Sequence, residues 1–199
     1  GPERHVYFTA VFSKPFRDFG IMQDTIPVKY NTNRFRSSLE AWGKDLRFWM
    51  RFPTRQGEVV TVKTAVSAVS SDGAKLNMQE LEGKTFASLK AEGEKLWEGQ
   101  LSKFKIEATP EQRETFYTSV YHAFLHPFIF QDADGKFREL DKNIGQAEGF
   151  TNYTVFSLWD TYRALHPLFN LVQRDINADI VNSMLAHYDK SVEHMLPVW

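Results

Sequence analysis

Between Ser157 and Pro167 the chain reads Ser-Leu-Trp-Asp-Thr-Tyr-Arg-Ala-Leu-His-Pro, eleven residues that bring together a carboxylate, a guanidinium, an imidazole and two large aromatic rings. Such a mixture suits a polar ligand with flat apolar faces, such as a sugar, because charged groups take its hydroxyls while a ring stacks on its C–H face. Asp160 and Arg163 are three residues apart, so on a helix they share a face and can pair. An architectural reading competes with this one. With Ser157 as N-cap, Asp160 falls at the third helical position, completes a capping box and places negative charge at the positive helix end. That reading accounts for Asp160 and is favoured on chemistry alone, but it leaves Trp159 and Arg163 unexplained.

Three other groupings carry less chemistry. Asp132-Ala133-Asp134-Gly135 matches the start of a calcium loop, but its Gly comes early and Asn143 stands where a bidentate Glu is required. A hairpin turn between Phe128–Gln131 and Lys136–Arg138 is the expectation there. His122 and His126 have the i, i+4 spacing of metal ligands on a helix, yet no third ligand is placed to join them, so they read as structural. Asn152-Tyr153-Thr154 is a glycosylation triplet of a kind that arises often by chance. There is no G-x-S-x-G, no P-loop and no Gly-rich dinucleotide turn. No acid/base carboxylate pair can be nominated, because their spacing is three-dimensional.

Composition narrows the partners. Net charge is −1 with both signs well mixed, so no basic field draws in nucleic acid or anionic lipid. No apolar run approaches the ~20 residues of a membrane span, and Gly1–His5 does not read as a signal peptide. The chain has no cysteine, which excludes disulfides and thiolate chemistry. Aromatic content is 15%, which reads mainly as dense packing with room for a few stacking platforms.

The elements that must position Ser157–Pro167 follow from periodicity. Tyr7–Phe12, Leu46–Phe52 and Val59–Ser70 read as strands; the alternation in the second predicts that Leu46, Phe48, Met50 and Phe52 share a buried face. Residues 17–45 read as a long polar excursion with weak strand pieces. Ser71-Asp72-Gly73 reads as a turn, so the first ~80 residues look all-β. These strands are too few for a complete sandwich, which leads to the expectation that others lie upstream. Beyond them, Thr85–Phe104 has helical spacing. Thr109-Pro110-Glu111-Gln112 is a capping box that opens a helix running to about Leu125. Pro167 is expected to kink or stop the helix begun at Ser157 near His166, and a last helix opens at Asp175.

Several of these stretches together resemble one family. Phe12-Ser13-Lys14-Pro15-Phe16 and Val66-Ser67-Ala68-Val69-Ser70 with Gly73-Ala74-Lys75-Leu76-Asn77 resemble the β-domain of glycoside hydrolase family 92. Phe116-Tyr117-Thr118-Ser119-Val120-Tyr121-His122, Asp132–Phe137, and Trp159-Asp160-Thr161-Tyr162-Arg163 with His166-Pro167-Leu168 resemble the start of its catalytic domain. The resemblance runs from about residue 7 to residue 199, with the motifs in the family's order. It implies an inverting, calcium-dependent exo-α-mannosidase acting on mannose-containing glycans. The implied fold class is α+β: a partial β-sandwich over residues 1–82, a helical linker over 83–108, and the first helices of an (α/α)6 barrel over 109–199.

By this resemblance the Trp159-Asp160-Thr161 motif contributes to mannose binding: Asp160 binds mannose hydroxyls, Trp159 shapes the pocket, and Arg163 holds Asp160. The catalytic acid and base and the calcium ligands are expected beyond Trp199, in the remainder of a parent polypeptide. The chain alone is therefore expected to be inactive. A periplasmic, cell-surface or secreted bacterial location is also implied. The alternatives are a non-catalytic carbohydrate-binding or scaffold module, or another (α/α)6 glycosidase of different sugar specificity.

Overall fold

The computed structural model describes residues 5–27, 43–154, 156–191 and 193–196. Mixed α and β structure is observed, with small antiparallel sheets. The chain divides into two compact units. One holds the residues up to Thr9 together with those from Thr64 onward, and the other holds Ala10–Lys63. Strands β1 (Tyr7–Phe12) and β5 (Val62–Ser67) pair as a two-stranded sheet. No helix among the described residues is long and apolar enough to cross a membrane.

The Ala10–Lys63 unit is a three-stranded sheet in the order β3 (Ile26–Pro27), β2 (Asp18–Gln23), β4 (Leu46–Arg51). Strand β2 lies inside the stretch expected to be a polar excursion; the part of that stretch at 28–42 lies outside the described residues. Gly20 explains why β2 reads only as a weak strand piece, since an internal Gly weakens a strand signal. It faces Trp49 across the ladder, and a Cβ there would fall 2.7 Å from the indole. Gly20 thus makes room for the ring, which covers the backbone the glycine leaves bare. The expected burial of one β4 face holds in part: Met50 and Phe52 are half-buried, whereas Leu46 and Phe48 are exposed. Phe48 lies against Phe19, at 5.7 Å between ring centroids.

In the other unit the expected turn at Ser71-Asp72-Gly73 is the first turn of a helix, α1 (Ser71–Met78). Ser70 caps it by accepting from the Gly73 N–H at 2.9 Å. The same three residues suit a turn or a helix start, because both use short polar side chains to satisfy free N–H groups. A short 3-10 turn follows at Gln79–Leu81. Helix α2 (Phe86–Leu101) carries a capping box made by Thr85 and Ser88. Helix α3 (Pro110–Ala123) has the expected box of Thr109 and Gln112, with Pro110 at its start. Since α3 ends at Ala123, His126 lies beyond it, and the helical i, i+4 geometry with His122 is not formed. Each histidine lies against an aromatic neighbour instead, His122 against Tyr121 and His126 against Phe128.

The expected hairpin across Asp132–Gly135 is also replaced. Strand β6 (Phe128–Ile129) pairs with β9 (Tyr153–Thr154), and β7 (Lys136–Arg138) pairs with β8 (Ile144–Gln146). The tight turn itself is real: the Gly135 N–H donates to the Asp132 carbonyl at 2.8 Å, and Gly135 takes φ +81, which favours glycine. The loop is held by a distant partner. Asp132 is 4% exposed, and its carboxylate accepts from Ser67 Oγ at 2.6 Å and Asn77 Nδ2 at 2.8 Å. Asn77 Oδ1 in turn accepts from the Ala133 N–H at 2.7 Å. Arg138 donates to the carbonyls of Ala68 and Val69 at 2.7 and 3.1 Å. A buried carboxylate is tolerated when it is hydrogen-bonded in this way. These bonds tie the β5–α1 connection to the β6–β7 loop.

The main core of this unit comprises Tyr153, Phe156, Phe169, Ile180 and Met184, flanked by Phe124, Leu158, Leu165 and Ile176. Phe169 comes from α5 (Leu165–Val172), and Ile180 and Met184 come from α6 (Arg174–Lys190). Truncating a buried ring such as Phe169 costs ~3–5 kcal/mol.

Candidate functional site

The stretch Ser157–Arg163 leaves this core as a short exposed turn. Strand β9 is bonded to β6 along one edge, and its Tyr153 N–H donates to Ser183 Oγ of α6 at 2.9 Å. Phe156, 5% exposed, anchors the next residue described in the core. Leu158 then packs inward as a partly buried flank. That places the outward residues of α4 (Leu158–Thr161) in solvent: Trp159 is 72% exposed and Tyr162, just beyond the helix, is 54% exposed. Two large aromatics so exposed within four residues are available to a ligand.

The polar contacts differ from both expected patterns. Ser157 makes no side-chain bond to the helix backbone, so the capping box does not form. Its hydroxyl instead donates to Asp160 Oδ2. The expected Asp160–Arg163 pair does not form either. Arg163 Nε donates to Tyr162 Oη at 2.6 Å, and the guanidinium lies 5.4 Å from the Tyr162 ring centroid. The nearer partner wins, since Arg163 stacks on the adjacent ring and bonds its hydroxyl without crossing a helical turn. Thr161 Oγ1 donates back to the Ser157 carbonyl at 3.0 Å, so its side chain is occupied in holding the turn. Trp159, Asp160 and Arg163 are all exposed, and Thr161 is half-buried.

Pro167 does not end a helix near His166. The break falls earlier, over Tyr162–Ala164, and Pro167 sits in the first turn of α5, where its missing N–H costs nothing. His166 Nδ1 lies 3.0 Å from Asn177 Oδ1. Because Asn177 Nδ2 donates to Asn170 Oδ1, that oxygen is the acceptor and His166 donates. The imidazole thus joins α5 to α6.

Other titratable groups in this unit are structural. Burial pushes the His187 imidazole below its ordinary value, and the ring packs between Phe137 and Phe156. Burial raises the Tyr153 phenol, with the negative charge of Asp179 adding to the effect. Asn152, in the glycosylation triplet, is fully buried, and its amide donates to the Phe130 carbonyl. Among the described residues, no three His, Cys, Asp or Glu side chains gather as a metal would require. Asp132 is taken by Ser67 and Asn77, and Asp134 by Lys136. The donor set described here does not fit calcium. Sequence reasoning named Ser67 and Asn77 only within family motifs and missed Arg138; their partners lie 55 to 70 positions away, and no local spacing signals such partners.

This fold is that of a known group of glycosidases. The chain belongs to glycosyl hydrolase family 92: the family's N-terminal domain matches residues 1–67 and its catalytic domain matches residues 73–199. It is similar to the family GH92 alpha-mannosidase BT3965 from Bacteroides thetaiotaomicron, with 69% identity over 100% of this chain and a TM-score of 0.94. It spans 27% of that protein's length. The same enzyme in complex with mannoimidazole matches with the same identity and TM-score, over 100% of this chain and 26% of that one. The family GH92 inverting mannosidase BT2199 from Bacteroides thetaiotaomicron VPI-5482 shares the fold, with TM-score 0.79 and 23% identity over 98% of this chain and 26% of that one. A comparison with curated protein sequences returned no match.

Proposed function

We propose that this chain is part of an inverting exo-α-mannosidase that hydrolyses terminal α-mannosides of glycans, with Trp159, Asp160 and Thr161 contributing to mannose binding. The observation that carries this reading is the 69% identity, over the whole of this chain, to an alpha-mannosidase whose structure is also known with mannoimidazole. The geometry of the turn supports it. The indole of Trp159 is open to stack on a sugar face, and Asp160 offers a carboxylate to its hydroxyls. Thr161 acts from beneath, by closing the turn on Ser157. Arg163 has its place beside the site, on Tyr162.

In this reading residues 1–82 belong to a β-sandwich, 83–108 link the domains, and 109–199 begin an (α/α)6 barrel. The uncovered faces of β4 and α2 are then completed by other parts of a longer polypeptide. An inverting glycosidase needs one carboxylic acid to protonate the leaving oxygen and one carboxylate to activate water on the opposite face. We place both, with the calcium ligands, outside this chain, and the enzyme in the periplasm, at the cell surface or outside the cell.

The test is mannose release from α-mannosides by the longer polypeptide, with the anomer followed by proton NMR, with and without a chelator. Calcium-dependent release of β-mannose is expected, together with a loss of ~10²-fold or more in kcat/KM for Asp160→Ala. The 199-residue chain alone is expected to release none. No release by the longer polypeptide, or retention of the anomer, refutes the assignment.

A further inference from the structure

We propose that Ser157 is a positioning residue for this site: its hydroxyl fixes one oxygen of the Asp160 carboxylate so that the other stays free for a sugar hydroxyl. This rests on the proposed role of Asp160 in binding mannose. Asp160 is exposed at a one-turn helix, where an unheld carboxylate samples several rotamers. Oδ2 accepts from Ser157 Oγ, and Oδ1 has no partner among the described residues. The neighbouring cation does not compete for it, since Arg163 is held by Tyr162.

Ser157 is itself firmly placed. Its carbonyl accepts from the Asp160 N–H at 3.0 Å, the Thr161 N–H at 3.1 Å and Thr161 Oγ1 at 3.0 Å. The residue before it, Phe156, is locked in the core. The turn therefore closes as a ring in which the backbone of Ser157 holds the helix and its side chain holds the carboxylate. A carboxylate fixed before the ligand arrives loses less freedom on binding.

The experiment compares kcat and KM of the longer polypeptide on an activated aryl α-mannoside for Ser157→Ala, Ser157→Cys and Ser157→Thr, each alone and with Asp160→Ala. Thermal unfolding temperatures are measured alongside. Ser157→Ala and Ser157→Cys, the latter keeping volume but donating weakly, are expected to lower kcat/KM about tenfold at unchanged unfolding temperature. Ser157→Thr, which keeps the hydroxyl, is expected within about twofold of wild type. In the Asp160→Ala background the Ser157→Ala loss is expected to vanish, because the group it positions is gone. Wild-type kinetics for Ser157→Ala, an equal loss in the Thr variant, or a full loss added on top of Asp160→Ala overturns the inference while the mannose site stands. Wild-type kcat/KM for Asp160→Ala alone removes the mannose site and this inference with it.

Discussion

Replacing Gly73 with Ala sets two effects of opposite sign against each other. Gly73 is in the first turn of α1, where intrinsic propensity favours Ala by ~1 kcal/mol. A Cβ at this position, however, falls 2.0 Å from Asp132 Oδ2 and 2.7 Å from Ser67 Oγ. Ordinary contact needs well over 3 Å, so the carboxylate must withdraw by more than 1 Å. That breaks the 2.6 Å bond from Ser67 and disturbs the 2.8 Å bond from Asn77. A hydrogen bond to a buried charged group is worth ~1.5–3 kcal/mol, and an orphaned donor adds to the loss. The clash outweighs the propensity gain, and Gly73→Ala is expected to destabilise by ~2 kcal/mol. The assay is urea unfolding followed by far-UV circular dichroism, with Asp132→Ala and the double variant alongside. Asp132→Ala removes the carboxylate, so Gly73→Ala added to it should cost far less than it does alone. A Gly73→Ala variant as stable as wild type, or an undiminished cost in the Asp132→Ala background, refutes the reasoning.

Two further outcomes follow from buried groups. His187 is buried, and burial pushes its titration down; Phe137, Phe156 and the backbone of Tyr153 lie against it. Below its ordinary pKa of about 6.5 the unfolded chain takes up a proton that the folded one refuses, so stability falls as pH drops from there toward the depressed folded value. His187→Phe should flatten that slope in unfolding measured between about pH 5 and 8, and an unchanged slope would count against it. Asn152 is fully buried, with its amide given to Phe130. Expression in a glycosylating host should therefore leave it unmodified, and intact mass spectrometry showing a glycan at Asn152 would contradict the packing.

Features written in local spacing were legible. The Thr109 box, with Pro110 and Gln112, marked the start of α3 because all its partners lie within one turn. The family motifs at Val66–Asn77 and Trp159–Arg163 were likewise readable as strings. Strand β2 was legible only as a weak strand piece, because Gly20 looks like a breaker until Trp49 is known to cover it. The loop Asp132–Gly135 was correctly read as a turn and wrongly as a hairpin. Turn chemistry is local, whereas the partner of β6 is β9, with Ile129 against Tyr153, 24 positions away, and Phe128 against Thr154, 26 positions away.

At the candidate site the residue types were set by sequence alone: an indole, a carboxylate, three hydroxyls and a guanidinium within seven residues, from Ser157 to Arg163. Spacing allowed Asp160 to meet either the Ser157 backbone or Arg163, and it could not choose. Tertiary structure chose neither. The core holds Phe156 and Leu158 inward, the helix stops after one turn, and Arg163 settles on Tyr162. The Ser157 hydroxyl is left to hold Asp160. Spacing determines which groups can reach one another, but which contact forms depends on how the buried neighbours orient the backbone between them.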